Sequence, residues 1–121
     1  MAKHAVVHLE LSAKDPKAAG KFYEQLFGWK IEVDDKLGYV QFHPEEGGIG
    51  GGFNPVDENT PAGSVLAYVG TDDIADSLKK AESLGAKTLM PKTEIPGVGW
   101  FGIFMDPTGN RVGLYTSMNP Q

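Results

Sequence analysis

The sequence of 121 residues predicts an α+β fold built from two βαβββ modules. Three observations carry that reading. Apolar residues occupy every odd position from Ala5 to Leu11 while His8 and Glu10 take even ones, the period of a strand with two unlike faces. A helical pattern with its own start and stop residues follows directly. The same plan then returns: Gly28 to Gly85 is a shift of 57, and Asp15 to Asp72 or Asp73 is one of 57 or 58. A repeat of that length is too long for a solenoid and too short for two full domains. Each half can bury one sheet face under its helix, and the twin half is the nearest partner for the other face. Two curved four-stranded sheets enclosing a cleft are therefore expected.

The elements follow in order. Ala5–Leu11 is a strand that turns His8 and Glu10 away from the helix packed on its apolar side. Asp15 suits a helix N-cap, and Pro16 suits the first helical position, where its missing N–H leaves no partner wanting. Ala19, Phe22, Tyr23 and Leu26 recur at helical spacing, and Gly28 stands where a left-handed residue ends a helix. Lys30–Asp34 and Tyr39–His43 alternate around the turn Asp35–Gly38 and read as a hairpin. After the turn His43–Gly48, Ile49–Phe53 is a weak fourth strand because of its glycines. Module one thus covers 1–54, a linker rich in proline and asparagine covers 55–63, and module two covers 64–121 of a single domain. In module two, Ser64–Gly70 is a strand, Asp72 or Asp73 caps a helix with the stripe Ile74, Leu78 and Ala81, and Gly85 stops it. Ala86–Thr93 with Pro91 at an edge, Trp100–Met105 and Arg111–Thr116 are the remaining strands. Asp106–Asn110 is made of residue types that turns favour.

Composition excludes several function classes. The chain has no cysteine, hence no disulfide, thiolate metal site or cysteine nucleophile. Its formal net charge of −5, without a lysine or arginine cluster, opposes binding to phosphate backbones, so no nucleic-acid partner is expected. No apolar run approaches the roughly 20 residues of a membrane span. The N-terminus lacks the apolar core of a signal peptide, which makes a cytoplasmic protein the expectation. The glycine run Gly47–Gly52 lacks the lysine and hydroxyl residue of a phosphate-binding loop and misses the dinucleotide spacing.

Several stretches resemble the vicinal oxygen chelate superfamily of glyoxalases, bleomycin-resistance proteins and extradiol dioxygenases. They are His8-Leu-Glu-Leu with Asp15, Phe22-Tyr-Glu-Gln-Leu-Phe-Gly-Trp29, Leu84-Gly85 and Asp106-Pro-Thr-Gly-Asn-Arg-Val-Gly-Leu114, in order along nearly the whole chain. The resemblance implies paired βαβββ modules in a cupped, half-open barrel, often as a homodimer. It also implies a divalent metal held from four positions, two in each half. Carried over, these are His8, a position near Gly50 or Gly51, Leu66 (or Val65 if Asp72 is the counterpart of Asp15) and Gly113. Three of the four bring no side-chain donor, and a catalytic site needs about three protein ligands. No cofactor is therefore expected, and a metal-dependent enzyme using another donor set is the alternative. Glu10, Tyr39, His43 and Tyr68 are the other donors on cavity-facing positions. His8 and Glu10 lie about 6–7 Å apart along one strand, too far to chelate readily, and His4 and His8 about 13 Å apart.

The favoured reading is a small-molecule binding protein of glyoxalase or bleomycin-resistance type. The alternative is a lyase or isomerase in which His8 moves a proton and Glu10 orients it, the carboxylate raising the imidazole pKa. Tyr68 and Tyr115 are expected to line the ligand pocket, Arg111 to hold an anionic group, and Phe53 and Leu66 to complete the lining. Trp100, Phe101 and Phe104 cannot be assigned to a face from the sequence.

Overall fold

The computed structural model describes residues 4–36, 38–44, 47–58 and 60–118. Leu37, Glu45, Glu46 and Asn59, which the sequence places in turns and in the linker, lie outside the described residues. The elements run β1 (Val6–Ala13), α1 (Pro16–Phe27), β2 (Lys30–Asp34), β3 (Tyr39–His43), β4 (Gly51–Pro55), β5 (Val65–Gly70), α2 (Ile74–Ser83), β6 (Lys87–Ile95), β7 (Gly99–Met105) and β8 (Arg111–Ser117). This is the order strand, helix, three strands, twice. The described residues form two compact units, one of Val7–Leu66 and one of residues 67–118, which residues 4–6 join. The Gly70 N–H donates to the Ala5 carbonyl at 2.8 Å, which ties that N-terminal stretch to the later unit.

In the first unit the strand order is β2-β3-β4-β1, with β1 and β4 parallel and the other pairs antiparallel. Helix α1 starts where the sequence signals it: the Asp15 carboxylate accepts from the Ala18 N–H at 3.1 Å and Pro16 takes the first turn. It ends at Gly28, whose φ of 76° is the left-handed conformation and whose N–H reaches the Glu24 carbonyl. The core lies between helix and sheet. Val40, Phe42 and Phe53 are buried there, and Leu9, Leu11, Ala19, Tyr23, Trp29 and Ile31 pack around them.

The helix is rolled relative to the expected stripe. Phe22 and Leu26 are both 56% exposed, whereas Gly20 is buried. A β-carbon at Gly20 would press on the side chains of Ile31 and Val40. The missing side chain lets α1 approach the sheet along the Gly20–Tyr23 line, and this close approach turns Phe22 and Leu26 outward.

In the second unit the order is β5-β8-β7-β6, with β5 and β8 parallel. Asp73 caps α2 by accepting from the Asp76 N–H at 2.9 Å. Ile74 and Leu78 of that helix form a core with Leu114, joined by Val69, Trp100 and Phe104. Pro91, which can donate no ladder hydrogen bond, sits on the outermost strand β6 within the register shift between Met90 and Thr93. The turn after β7 is organised by Asp106, whose carboxylate accepts from the N–H groups of Thr108 and Asn110 and from both their side chains. These bonds hold its pKa down at about 2.

Candidate functional site

Side-chain alternation gives the strands of each unit one face under their helix and one far face. In the first unit the register places Glu10 and Gln41 on either side of Gly52. With period two, His8, Glu10, Tyr39, Gln41 and Gly52 therefore share the far face, opposite the core residues Leu9, Val40, Phe42 and Phe53. Tyr39 crosses this face diagonally, from β3 over β4 to β1. It can do so because Gly52 has no side chain: a β-carbon there would overlap the Tyr39 hydroxyl and ring.

The crossing ends in a hydrogen-bonded chain. The Tyr39 hydroxyl donates to Glu10 Oε2 at 3.0 Å, and His8 Nε2 lies 2.9 Å from the Tyr39 hydroxyl oxygen. The two rings are stacked, with centroids 6.3 Å apart and an interplanar angle of 26°. His8 and Glu10, which face the same way as the sequence predicts, are thus joined through a third side chain. The expected effect on acidity is reversed, however. Burial lowers the His8 pKa from 6.5, because the charged imidazolium loses more hydration than the neutral ring. Tyr39 stands between the imidazole and the carboxylate, and desolvation prevails. A neutral imidazole, a phenol and a carboxylate in sequence can orient a ligand, accept a hydrogen bond or take a proton.

The other sequence-predicted residues divide. Phe53 is in the hydrophobic core at 1% exposure, stacked on Tyr23 with centroids 5.8 Å apart, so it cannot line the far face with His8. Leu66 is half-buried and shares strand parity with Tyr68. Tyr68 is buried and lies across Gly113, its register partner on β8; a β-carbon at Gly113 would overlap the ring. Tyr115 follows on the same face, paired with Phe101, and its hydroxyl is 3.5 Å from the Val98 carbonyl. Arg111 opens β8 as an exposed residue. Of the aromatics left unassigned by sequence, Trp100 and Phe104 pack in the α2 core, and alternation puts Phe101 on the far face.

Among the described residues no group of three or more histidine, cysteine, aspartate or glutamate side chains is placed to hold an ion. The position near Gly50 or Gly51 resolves further: Gly51 faces the core, where a β-carbon would strike the Leu9 backbone and the Phe42 ring. On the far face stands Gly52, and its space belongs to Tyr39. A shallow depression of about 400 Å³ along β2, lined by Glu32, Asp34, Asp35 and Lys36 among others, does not include the His8–Tyr39–Glu10 chain.

Comparison with known proteins places this geometry in a family. The model of the Glyoxalase/Bleomycin resistance protein/Dioxygenase superfamily matches residues 5–114. A protein named "Putative glyoxylase CFP32" from Mycobacterium bovis is 30% identical over 113 residues, covering 88% of this chain and 43% of its own length. The chain therefore spans less than half of that curated relative. Among solved structures, methylmalonyl-CoA epimerase from Mycobacterium tuberculosis superposes with a TM-score of 0.71 at 12% identity, covering 94% of this chain and 88% of that one. A glyoxalase/bleomycin resistance protein/dioxygenase superfamily member from Vibrio splendidus 12B01 gives 0.65 at 13% identity, covering 95% of this chain and 100% of that one. At such identity these two establish the fold. With the repeated βαβββ order and a family model matched along almost its entire length, the chain belongs to the Glyoxalase/Bleomycin resistance protein/Dioxygenase superfamily.

Proposed function

We propose that the chain binds a small organic molecule at the far face of its first unit, through the His8–Tyr39–Glu10 chain and without a metal of the family kind. The observation that carries this reading is the convergence of His8 Nε2 and Glu10 Oε2 on one phenol oxygen, at 2.9 and 3.0 Å. Two side chains of the kind that ligate cations instead share a tyrosine hydroxyl. Gly113, where the family resemblance calls for a ligand, has its side-chain space filled by Tyr68. Tyr68 and Tyr115 are proposed as ligand-lining residues of the second unit, and Arg111 as an anchor for an anionic group. A cytoplasmic homodimer belongs to the same proposal, and its oligomeric state is read by size-exclusion chromatography with light scattering.

A second reading, proton transfer in a lyase or isomerase, is favoured by the same hydrogen-bonded chain. It presents a neutral imidazole backed by a phenol and a carboxylate, the arrangement of a general base.

A thermal-shift screen of small carbonyl, hydroxy and aromatic compounds tests binding. A compound at about 100 times its Kd stabilises the native state by about 2.7 kcal/mol, which raises Tm by roughly 10 °C. His8→Ala is expected to abolish that shift, and any turnover found. Equal shifts in both proteins remove His8 from the site. Stoichiometric zinc or nickel in protein purified without chelators, lost in His8→Ala, overturns the metal-free reading.

A further inference from the structure

We infer that the edge strand β2 is the surface on which two copies of this chain pair, antiparallel and about a two-fold axis through Glu32. The inference gives an interface to the homodimer proposed above and rests on that dimer, while the ligand site at His8 is independent of it. Among the described residues β2 is an outermost strand, hydrogen-bonded to β3 alone. Its register with β3 runs unbroken from Lys30 to Asp34, without proline or bulge. An open ladder of this kind is a template for a further strand. The outer strand β6 of the second unit is blunted instead: it carries Pro91, the register shift between Met90 and Thr93, and the lysines Lys87 and Lys92.

Ladder alternation determines which backbone groups β2 offers. The Leu9 N–H donates to the Gly50 carbonyl at 3.1 Å, so Gly50 and Gly52 turn their backbone groups toward β1, and Gly51 and Phe53 turn theirs toward β3. Carried across the two antiparallel registers, Val40 and Phe42 bond to β4, while Tyr39, Gln41 and His43 bond to Asp34, Glu32 and Lys30. The N–H and C=O groups of Ile31 and Val33 therefore point off the edge. A second β2 laid antiparallel pairs Ile31 with the partner's Val33, and Val33 with the partner's Ile31, through four hydrogen bonds. This is the register in which all five residues of the strand find a partner. Its side chains are complementary. Lys30 stands opposite the partner's Asp34, at the depression that Glu32, Asp34 and Asp35 line. On the helix side Val33, which is 44% exposed, meets the partner's Ile31. The two Glu32 carboxylates meet on the axis, and each already has His43 Nε2 at 2.9 Å and Lys30 Nζ at 4.0 Å to temper their repulsion.

A contact of five residues a side belongs to the class below about 1,200 Å² that gives weak association. Sedimentation from micromolar to millimolar protein should therefore show a dimer that dissociates on dilution. Val33→Pro removes two of the four bonds and none within the chain, since proline is tolerated at an outward-facing edge position. At about fivefold per bond, it should raise the Kd roughly thirtyfold. If that variant does not fold, Val33→Lys serves, because it puts a charge opposite the partner's Ile31. The chain has no cysteine, so single cysteines report the register. Glu32→Cys sets two thiols opposite each other in a non-hydrogen-bonded pair, with Cα atoms about 4.5 Å apart, and should close an intermolecular disulfide in a glutathione buffer. Val33→Cys is the control: its counterpart sits on the diagonal, about 7–8 Å away, and it should cross-link far more slowly. A dimer that survives Val33→Pro or Val33→Lys unchanged, or that cross-links the two cysteine variants equally, overturns the edge pairing and leaves the homodimer standing. Protein that stays monomeric over the whole range overturns both.

Discussion

Replacing Gly52 by alanine is a small change with a specific consequence. The nearest atoms to the added β-carbon are the hydroxyl, Cζ and one Cε of Tyr39, all closer than any pair of unbonded atoms tolerates. The phenol must leave, and it takes two hydrogen bonds with it, one to His8 and one to Glu10. A neutral hydrogen bond contributes about 1 kcal/mol and one to a charged group about 1.5–3. Against their sum of roughly 2.5–4 kcal/mol stands a gain of about 0.4–1 from the stiffer unfolded chain. The net expectation is a loss of about 2–3 kcal/mol, read as a lower urea midpoint at unchanged m-value. A double-mutant cycle identifies the cause: with Tyr39→Ala already in place, Gly52→Ala should cost almost nothing. Equal costs in the two backgrounds, or no cost in the wild type, would refute the seating of Tyr39 over Gly52. Gly51→Ala is the contrast, because its β-carbon would strike the Leu9 carbonyl and break the β1–β4 pairing with or without Tyr39.

Other perturbations have equally definite outcomes. Phe53→Ala, at the centre of the Tyr23–Phe42–Phe53 cluster, should cost about 3–5 kcal/mol in urea denaturation. Since burial lowers the His8 pKa below 6.5, the unfolded chain binds a proton that the folded chain resists. That contribution is complete above 6.5 and declines as the pH falls from there toward the lowered value, so His8→Gln should flatten this stretch of the stability–pH curve. The Asp106 carboxylate, held at about 2, stabilises the β7–β8 turn fully above its unfolded pKa near 3.8 and loses that effect as the pH falls through about 2. Asp106→Ala should therefore lower the urea midpoint at neutral pH and leave less to lose in acid.

What the sequence discloses about this molecule is what depends on neighbours along the chain. Asp15 and Asp73 as caps, and Gly28 and Gly85 as left-handed stops, need only a few adjacent residues to be recognised. The facing of His8 and Glu10 needs only period two. The role of Tyr39 requires more, namely the register of three strands and the knowledge that the residue between them is Gly52. Parity alone groups Tyr39 with Gln41 and His43, but it does not say that the ring reaches β1. Phe53 illustrates the same limit: its face depends on which glycine of β4 pairs with Glu10. The roll of α1 depends on Gly20 meeting Ile31 and Val40, a contact between helix and sheet that the apolar stripe cannot show.

The two units treat the same local motif differently, and the difference lies in what surrounds the tyrosine. Each places a tyrosine ring over a glycine of a neighbouring strand, Tyr39 on Gly52 and Tyr68 on Gly113. In the first unit the ring ends among polar groups, and its hydroxyl becomes the middle member of a chain between an imidazole and a carboxylate. In the second unit the strand neighbours of Gly113 on its face are Ile103, Tyr115 and Arg111, so the ring there lies among aliphatic, aromatic and cationic side chains. A glycine in either place is therefore a fitted part and not a lost side chain. A glutamate introduced at Gly113 would have to displace a buried ring before it offered a ligand to any ion, so Gly113→Glu alone is expected not to create a metal site.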